Sequence, residues 1–295
     1  MTGLSARAEA NGISQLLTAV FGRDRFPVDV ERLALEYTRQ RFPDSYVSQI
    51  KRMDIPGFEG CLQANKDGSR WLIAYSAAHG SPGRMRFTLA HELGHFMLHR
   101  GMQPLFECTE RDMYDWDSPA RVMESEADTF ASYVLMPLDD FRRQLGSQAM
   151  CLEFLEHCRV RYGVSRMAAA LKWIEVAPHR ALVVAARDGH LLWARMNQAA
   201  YKSGAYLATR KKVVEVPAAS LLRDVEEGCG KTTATKDARI WFSKEPTGTQ
   251  LHEIAIRVEG PYPYVLGILM MPDALRPWER SDEEDDESGL TVPAW

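Results

Sequence analysis

The sequence predicts an α+β protein with more than one domain, and three observations carry that prediction. Helical apolar periodicity dominates up to residue 176, apolar runs bounded by turn residues take over from Ala181, and 295 residues exceed what one hydrophobic core commonly serves. Composition fits an ordinary soluble chain, 45% hydrophobic and 26% charged. No apolar run approaches the roughly 18 residues of a membrane span, and Met1-Thr-Gly-Leu-Ser-Ala-Arg7 lacks a charged flank followed by an apolar core, so neither a span nor a secretory signal is expected. Five Cys, at positions 61, 108, 151, 158 and 229, form no Cys-x-x-Cys pair and read as reduced thiols in a cytoplasmic protein.

The first element with a clear signature is a largely buried helix from Arg84. Phe87, Leu89, Ala90, Leu93, Phe96, Met97 and Leu98 supply its apolar positions; Gly80, Pro82 and Gly83 break the chain upstream, and Gly101 with Pro104 ends it. In its middle stands His91-Glu92-Leu-Gly-His95. Residues i and i+4 share a helix face, so both imidazoles can reach one metal ion, the His-Glu-x-x-His arrangement of zinc peptidases in which the Glu moves protons and does not bind metal. His99 lies about 12 Å along the axis from His91, too far to share that ion, and reads as a polar residue near the helix end.

Zinc in a hydrolytic site takes a third protein ligand and leaves a fourth position for water. A second helix, Pro119 to Met136, carries an apolar stripe of Val122, Met123, Ala127, Phe130, Ala131, Val134 and Leu135, closed by Pro137. Within it, Glu124 and Asp128 share a face, whereas Glu126 lies about 200° around from Glu124. A metal ligand at Glu124 and an acid at Asp128 that orients a ligand imidazole through its other nitrogen fit these positions. A solvated acidic face near a helix N-terminus is the competing reading.

Residues 138–176 read as short helices. Leu152, Phe154, Leu155 and Val160 supply one, Gly163 a turn, Ser165 an N-cap, and Met167, Ala168, Leu171 and Ile174 line the next. That is a helix-turn-helix outline. Its second helix is expected to expose only Arg166, Lys172 and Trp173, so packing or substrate docking is favoured over direct DNA binding.

From Ala181 the chain reads as strands: a hairpin of 181–185 and 191–193 turning at Asp188-Gly189, then strands at 238–242, 252–258 and 264–271. Gly228-Cys-Gly-Lys-Thr-Thr233 imitates the end of a phosphate-binding loop, but Val225 stands where its first Gly is needed, and the stretch reads as a flexible surface loop. Six of the forty acidic residues fall in 282–287, and without them the chain holds 34 acids against 36 bases, so the net charge of −4 reflects a solvated, disordered tail.

The run Arg86-Phe-Thr-Leu-Ala-His-Glu-Leu-Gly-His-Phe-Met-Leu-His99, followed by Glu124-x-x-Ala-Asp-x-Phe-Ala131 and Leu135-Met-Pro137, resembles the ImmA/IrrE metallopeptidases. That family comprises bacterial radiation-response proteases and phage or mobile-element immunity proteases. Phe26-Pro-Val-Asp29 matches a segment its members carry before their first helix. The resemblance is dense over residues 20–140, thinner to 176 and faint beyond. It implies a zincin-like, gluzincin-type peptidase domain over residues 1–137 and a helix-turn-helix-like segment over 138–176. A mixed antiparallel, GAF-like domain sensing a small-molecule signal is implied over 177–275, with the acidic tail at 276–295. Zinc, with manganese or iron as alternatives, is then held by His91, His95 and Glu124, the last preferred over Glu126; Glu92 is the general base and Asp128 steadies a ligand imidazole. The implied substrate is a helix-turn-helix repressor encoded nearby, whose cleavage releases stress-response or mobile-element genes. A metal-stabilised regulator that binds repressor or DNA without proteolysis is the alternative.

Overall fold

The computed structural model describes residues 5–53, 58–76, 81–109, 119–260 and 262–274. The fold is α+β, as the sequence predicts, and the chain packs as two compact units that divide between Ala169 and Ala170.

The first unit opens with α1 (Ala6–Phe21), capped by the Ser5 hydroxyl, which accepts from the Ala8 amide. Asp29 caps α2 (Val30–Arg32), which runs through a π turn, Leu33–Tyr37, into α3 (Thr38–Arg41). The Phe26–Asp29 segment therefore precedes the second helix and not the first, because residues 6–21 already form one. Four strands follow: β1 (Tyr46–Met53), β2 (Phe58–Ala64), β3 (Arg70–Ser76) and β4 (Leu105–Thr109). They form one sheet in the order β1-β3-β2-β4, parallel between β1 and β3 and antiparallel elsewhere.

Between β3 and β4 runs α4 (Pro82–His99), which starts two residues before the expected helix. Pro82 occupies its first turn, where a missing N–H costs nothing, and Ser81 caps it by accepting from the Arg84 amide. Helix α4 packs on β2, β3 and α5 (Pro119–Leu135), and α5 packs on α1. Leu62, Trp71, Ile73, Leu93, Phe96, Phe106, Phe130 and Val134 are all buried in this unit, each contributing about 1.5–3 kcal/mol of apolar burial. Helices α6 (Leu138–Leu145) and α7 (Leu152–Tyr162) complete it. They are tied by buried Asp140, which accepts from Arg161 Nε and the Tyr162 hydroxyl, each at 2.8 Å.

Gly163, at φ 63°, ends α7 in the left-handed region, and Ser165 caps α8 (Arg166–Ile174) by accepting from the Ala168 amide. The helix-turn-helix outline is thus present, but only part of the expected exposed face is. Arg166 is exposed and pairs with Glu156 at 2.9 Å, whereas Lys172 and Trp173 are buried. The buried side of α8 is formed by Ala169, Ala170, Lys172 and Trp173, whereas Met167, Ala168 and Leu171, expected to line it, are only half-buried, and of the expected stripe Ile174 alone is buried.

The second unit is built on an antiparallel sheet ordered β6-β5-β9-β8-β7. Its strands are β5 (Arg180–Arg187), β6 (His190–Met196), β7 (Thr233–Asp237), β8 (Gln250–Val258) and β9 (Tyr264–Met271). Asp188 and Gly189, at φ 51° and 72°, form the two-residue turn that the Asp-Gly pair predicts. Helices α9 (Gln198–Lys202) and α10 (Leu221–Glu226) also belong to this unit, and Leu182, Val184, Leu222, Leu251 and Leu269 share its core.

The expected strand over 238–242 is instead a 3₁₀ turn, Ala238–Ile240, capped by the Asp237 carboxylate accepting from the Arg239 amide. The strand lies just upstream as β7, and it begins at Thr233, the end of the stretch read as a loop. An edge strand of sequence Thr-Ala-Thr-Lys-Asp buries none of its residues fully, so it shows no apolar alternation. The expected acidic tail, 276–295, lies outside the described residues. No helix among those described is long and apolar enough to cross a membrane.

Candidate metal centre

The two central imidazoles of α4 face α5. His91 Nε2 lies 3.1 Å from Glu124 Oε2, His95 Nε2 lies 3.2 Å from Glu124 Oε1, and the two Nε2 atoms are 3.0 Å apart. Donors bound at about 2.0–2.1 Å to one tetrahedral zinc ion stand about 3.4 Å from each other. The three side chains, with donor atoms all within 4.8 Å of one another, therefore fit a single ion with little movement.

The outward nitrogens of both rings are engaged as well. His91 Nδ1 is 2.9 Å from Asp128 Oδ1. His95 Nδ1 is 3.2 Å from His99 Nδ1, and His99 Nε2 is 3.0 Å from Glu126 Oε2. His99, at the end of α4 as expected, is thus buried, 1% exposed. The distance along the axis does keep it from His91, but the i, i+4 spacing that pairs His91 with His95 equally pairs His95 with His99. Glu126, set aside because it faces away from Glu124, reaches His99 for that same reason.

Electrostatics follow from this crowding. Burial alone would lower the His91 pKa, but hydrogen bonds to Asp128 and Glu124 and the charges of Asp128 and Glu92 raise it to about 10. His95 moves the other way, lowered by burial and by the neighbouring imidazoles despite its contact with Glu124. Burial would raise the Glu124 carboxyl, yet hydrogen bonds from both imidazoles bring it down to about 2. The cluster holds a carboxylate with its charge fully developed between two nitrogen donors, which is the donor chemistry a divalent cation requires.

Glu92 points to the sheet side of α4 and is completely buried. A Cβ on Gly60 of β2 would stand 2.5 Å from Glu92 Oε1 and 2.8 Å from Thr88 Cγ2, so the strand lies over the carboxylate only because residue 60 has no side chain. Nothing in the local sequence around Gly60 marks it for this role. The Phe106 ring of β4 stacks on His95, centroids 4.9 Å apart, and closes the site on that side.

Residues 48–173 match the family model of the IrrE N-terminal-like domain, a peptidase family. A solved structure of a Mycobacterium tuberculosis transcriptional regulator is similar over 90% of this chain and 75% of its own, with a TM-score of 0.56 and 14% identity, a likeness of fold. No curated protein matches the chain.

Proposed function

We propose, from the match of residues 48–173 to the IrrE N-terminal-like domain model, that the chain is a zinc-dependent endopeptidase that cleaves a helix-turn-helix repressor. The convergence of His91, His95 and Glu124, with Glu92 on the next helical position, carries this reading. His91 Nε2, His95 Nε2 and Glu124 would hold the ion, with manganese or iron also compatible with this donor set. When bound, zinc would supply Lewis acidity that polarises a peptide carbonyl and lowers the pKa of water to about 7. Glu92 takes a proton from water as general base and returns it to the leaving amine. Asp128 holds the His91 ring in the orientation its Nε2 needs.

Substrate and setting rest on the family likeness: a repressor encoded nearby, in the cytoplasm, with the second unit sensing a small-molecule signal. Incubating the purified chain with that repressor, with zinc and with zinc plus chelator, tests the proposal. Cleavage at one bond in the first case and none in the second is expected; an intact repressor in the zinc-replete sample would sink it. The alternative, a metal-stabilised regulator that binds repressor or DNA without proteolysis, predicts an intact repressor in both samples and, where it acts through α8 on DNA, specific binding that weakens steeply with salt. The burial of Lys172 and Trp173 on α8 speaks against such DNA binding.

The same assay reads the Gly60 contact. In Gly60→Ala the new methyl must displace the Glu92 carboxylate, since 2.5 Å is far inside van der Waals contact. A displacement of about 1 Å at a catalytic group costs roughly a hundred-fold in rate. We expect kcat to fall by about that factor while zinc content stays unchanged; an unaltered kcat would show that the carboxylate can sidestep without consequence.

A further inference from the structure

We propose that His99 and Glu126 are positioning residues for the metal centre: a hydrogen-bonded line from His95 through His99 to Glu126 fixes the tautomer and ring plane of His95. The inference rests on the metal site proposed above and concerns how one of its ligands is held. Both ligand imidazoles turn Nε2 toward Glu124, so each Nδ1 points away from the ion's position. For His91 the outward nitrogen meets a carboxylate directly, at Asp128. For His95 it meets another imidazole, His99, and the carboxylate comes one step later, at Glu126.

The hydrogens along this line have one consistent arrangement. A neutral imidazole carries one N–H and one lone pair. If the His95 Nε2 lone pair goes to the metal, the hydrogen sits on Nδ1 and is donated to His99 Nδ1. His99 must then accept there and carry its own hydrogen on Nε2, where Glu126 Oε2 accepts it at 3.0 Å. An acceptor at the far end is therefore required, because a donor in place of Glu126 would put hydrogens on both facing Nδ1 atoms. Water cannot easily substitute at the inner link: His95 and His99 are 0% and 1% exposed, and Phe106 lies against both rings. An unsatisfied donor in such a place is costly.

Helix geometry explains why the two ligands are held differently. Each step of four residues advances about 40° beyond a full turn, so His99 is rotated about 80° from His91. That drift takes it off the line to Glu124 and brings it to Glu126. The three acidic residues of the α5 segment thus have separate work: Glu124 between the ligand nitrogens, Asp128 behind His91, and Glu126 behind His99.

The test measures zinc affinity of the full chain by competition with a chromogenic chelator, together with the visible absorption of the cobalt-loaded protein. His99→Leu should weaken zinc binding about 10–100-fold and shift the cobalt bands. His99→Gln, whose amide can accept from His95 and donate to Glu126, should recover most of that loss. Glu126→Ala should weaken binding several-fold and Glu126→Gln, which keeps an acceptor, much less; Glu126 is half-exposed, so these two decide the matter if His99→Leu does not fold. Wild-type affinity and spectrum in His99→Leu or Glu126→Ala would overturn the inference, as would equal losses in His99→Leu and His99→Gln. A wild-type chain that takes up no zinc, or whose uptake survives His95→Ala and Glu124→Ala, removes the metal-site reading itself.

Discussion

A Glu92→Gln protein is expected to keep its zinc and to cleave repressor about 10²–10⁴-fold more slowly. The substitution changes charge and leaves volume nearly constant, which matters here because the side chain fills a closed slot beside Thr88 and under Gly60. The metal donors are His91 and His95 on α4 and Glu124 on α5, so zinc binding is not predicted to depend on it. An amide cannot accept the proton from water, and the first proton transfer then has no base. Metal content by atomic emission and single-turnover cleavage, measured on one preparation, separate the outcomes. Full activity in a zinc-replete sample would show that the proton goes elsewhere; loss of zinc would place Glu92 among the ligands.

The candidate site was legible to the extent that it is written within single helices. His91 and His95 share a face by periodicity alone, as do Glu124 and Asp128, and the structure brings these four side chains together. What periodicity cannot give is how two elements lie against each other. Gly60 matters because β2 crosses Glu92, and Glu126 because α5 passes alongside His99; neither residue carries a local sign of it. Strand β1 was illegible for a different reason. β1 buries only Val47 fully, so the alternation that announces a strand is missing. On α8 an assumption about exposure failed, since Lys172 and Trp173 turned out to lie inside.

Gly94 sets the spacing between the two metal-bearing helices, and enlarging it is expected to cost both stability and metal affinity. A Cβ at this position would stand 3.1 Å from Ala127 Cα, 3.2 Å from Ala127 O and 3.2 Å from Phe130 Cδ1. Two of these three atoms are backbone, so α5 can yield only by moving as a whole. In Gly94→Ala two effects oppose each other. Helix propensity favours Ala by about 1 kcal/mol, while the tight contact costs about 1–3 kcal/mol, so the net change is a loss of roughly 0–2 kcal/mol. Gly94→Val forfeits most of the propensity gain through its β-branch and adds two methyl groups against the same backbone. A loss of at least about 3 kcal/mol is then expected at the upper end of overpacking costs. Because Glu124 is on α5 and both imidazoles are on α4, separating the helices also stretches the 3.1 and 3.2 Å approaches that bring the donors together. Zinc affinity should therefore fall in the order wild type, Gly94→Ala, Gly94→Val, in step with the stability read from urea denaturation of the metal-free chains. If Gly94→Val kept wild-type zinc affinity while losing stability, the donors would be held by the side-chain hydrogen bonds and not by the spacing of the helices, and the close approach at Gly94 would be a matter of core packing alone.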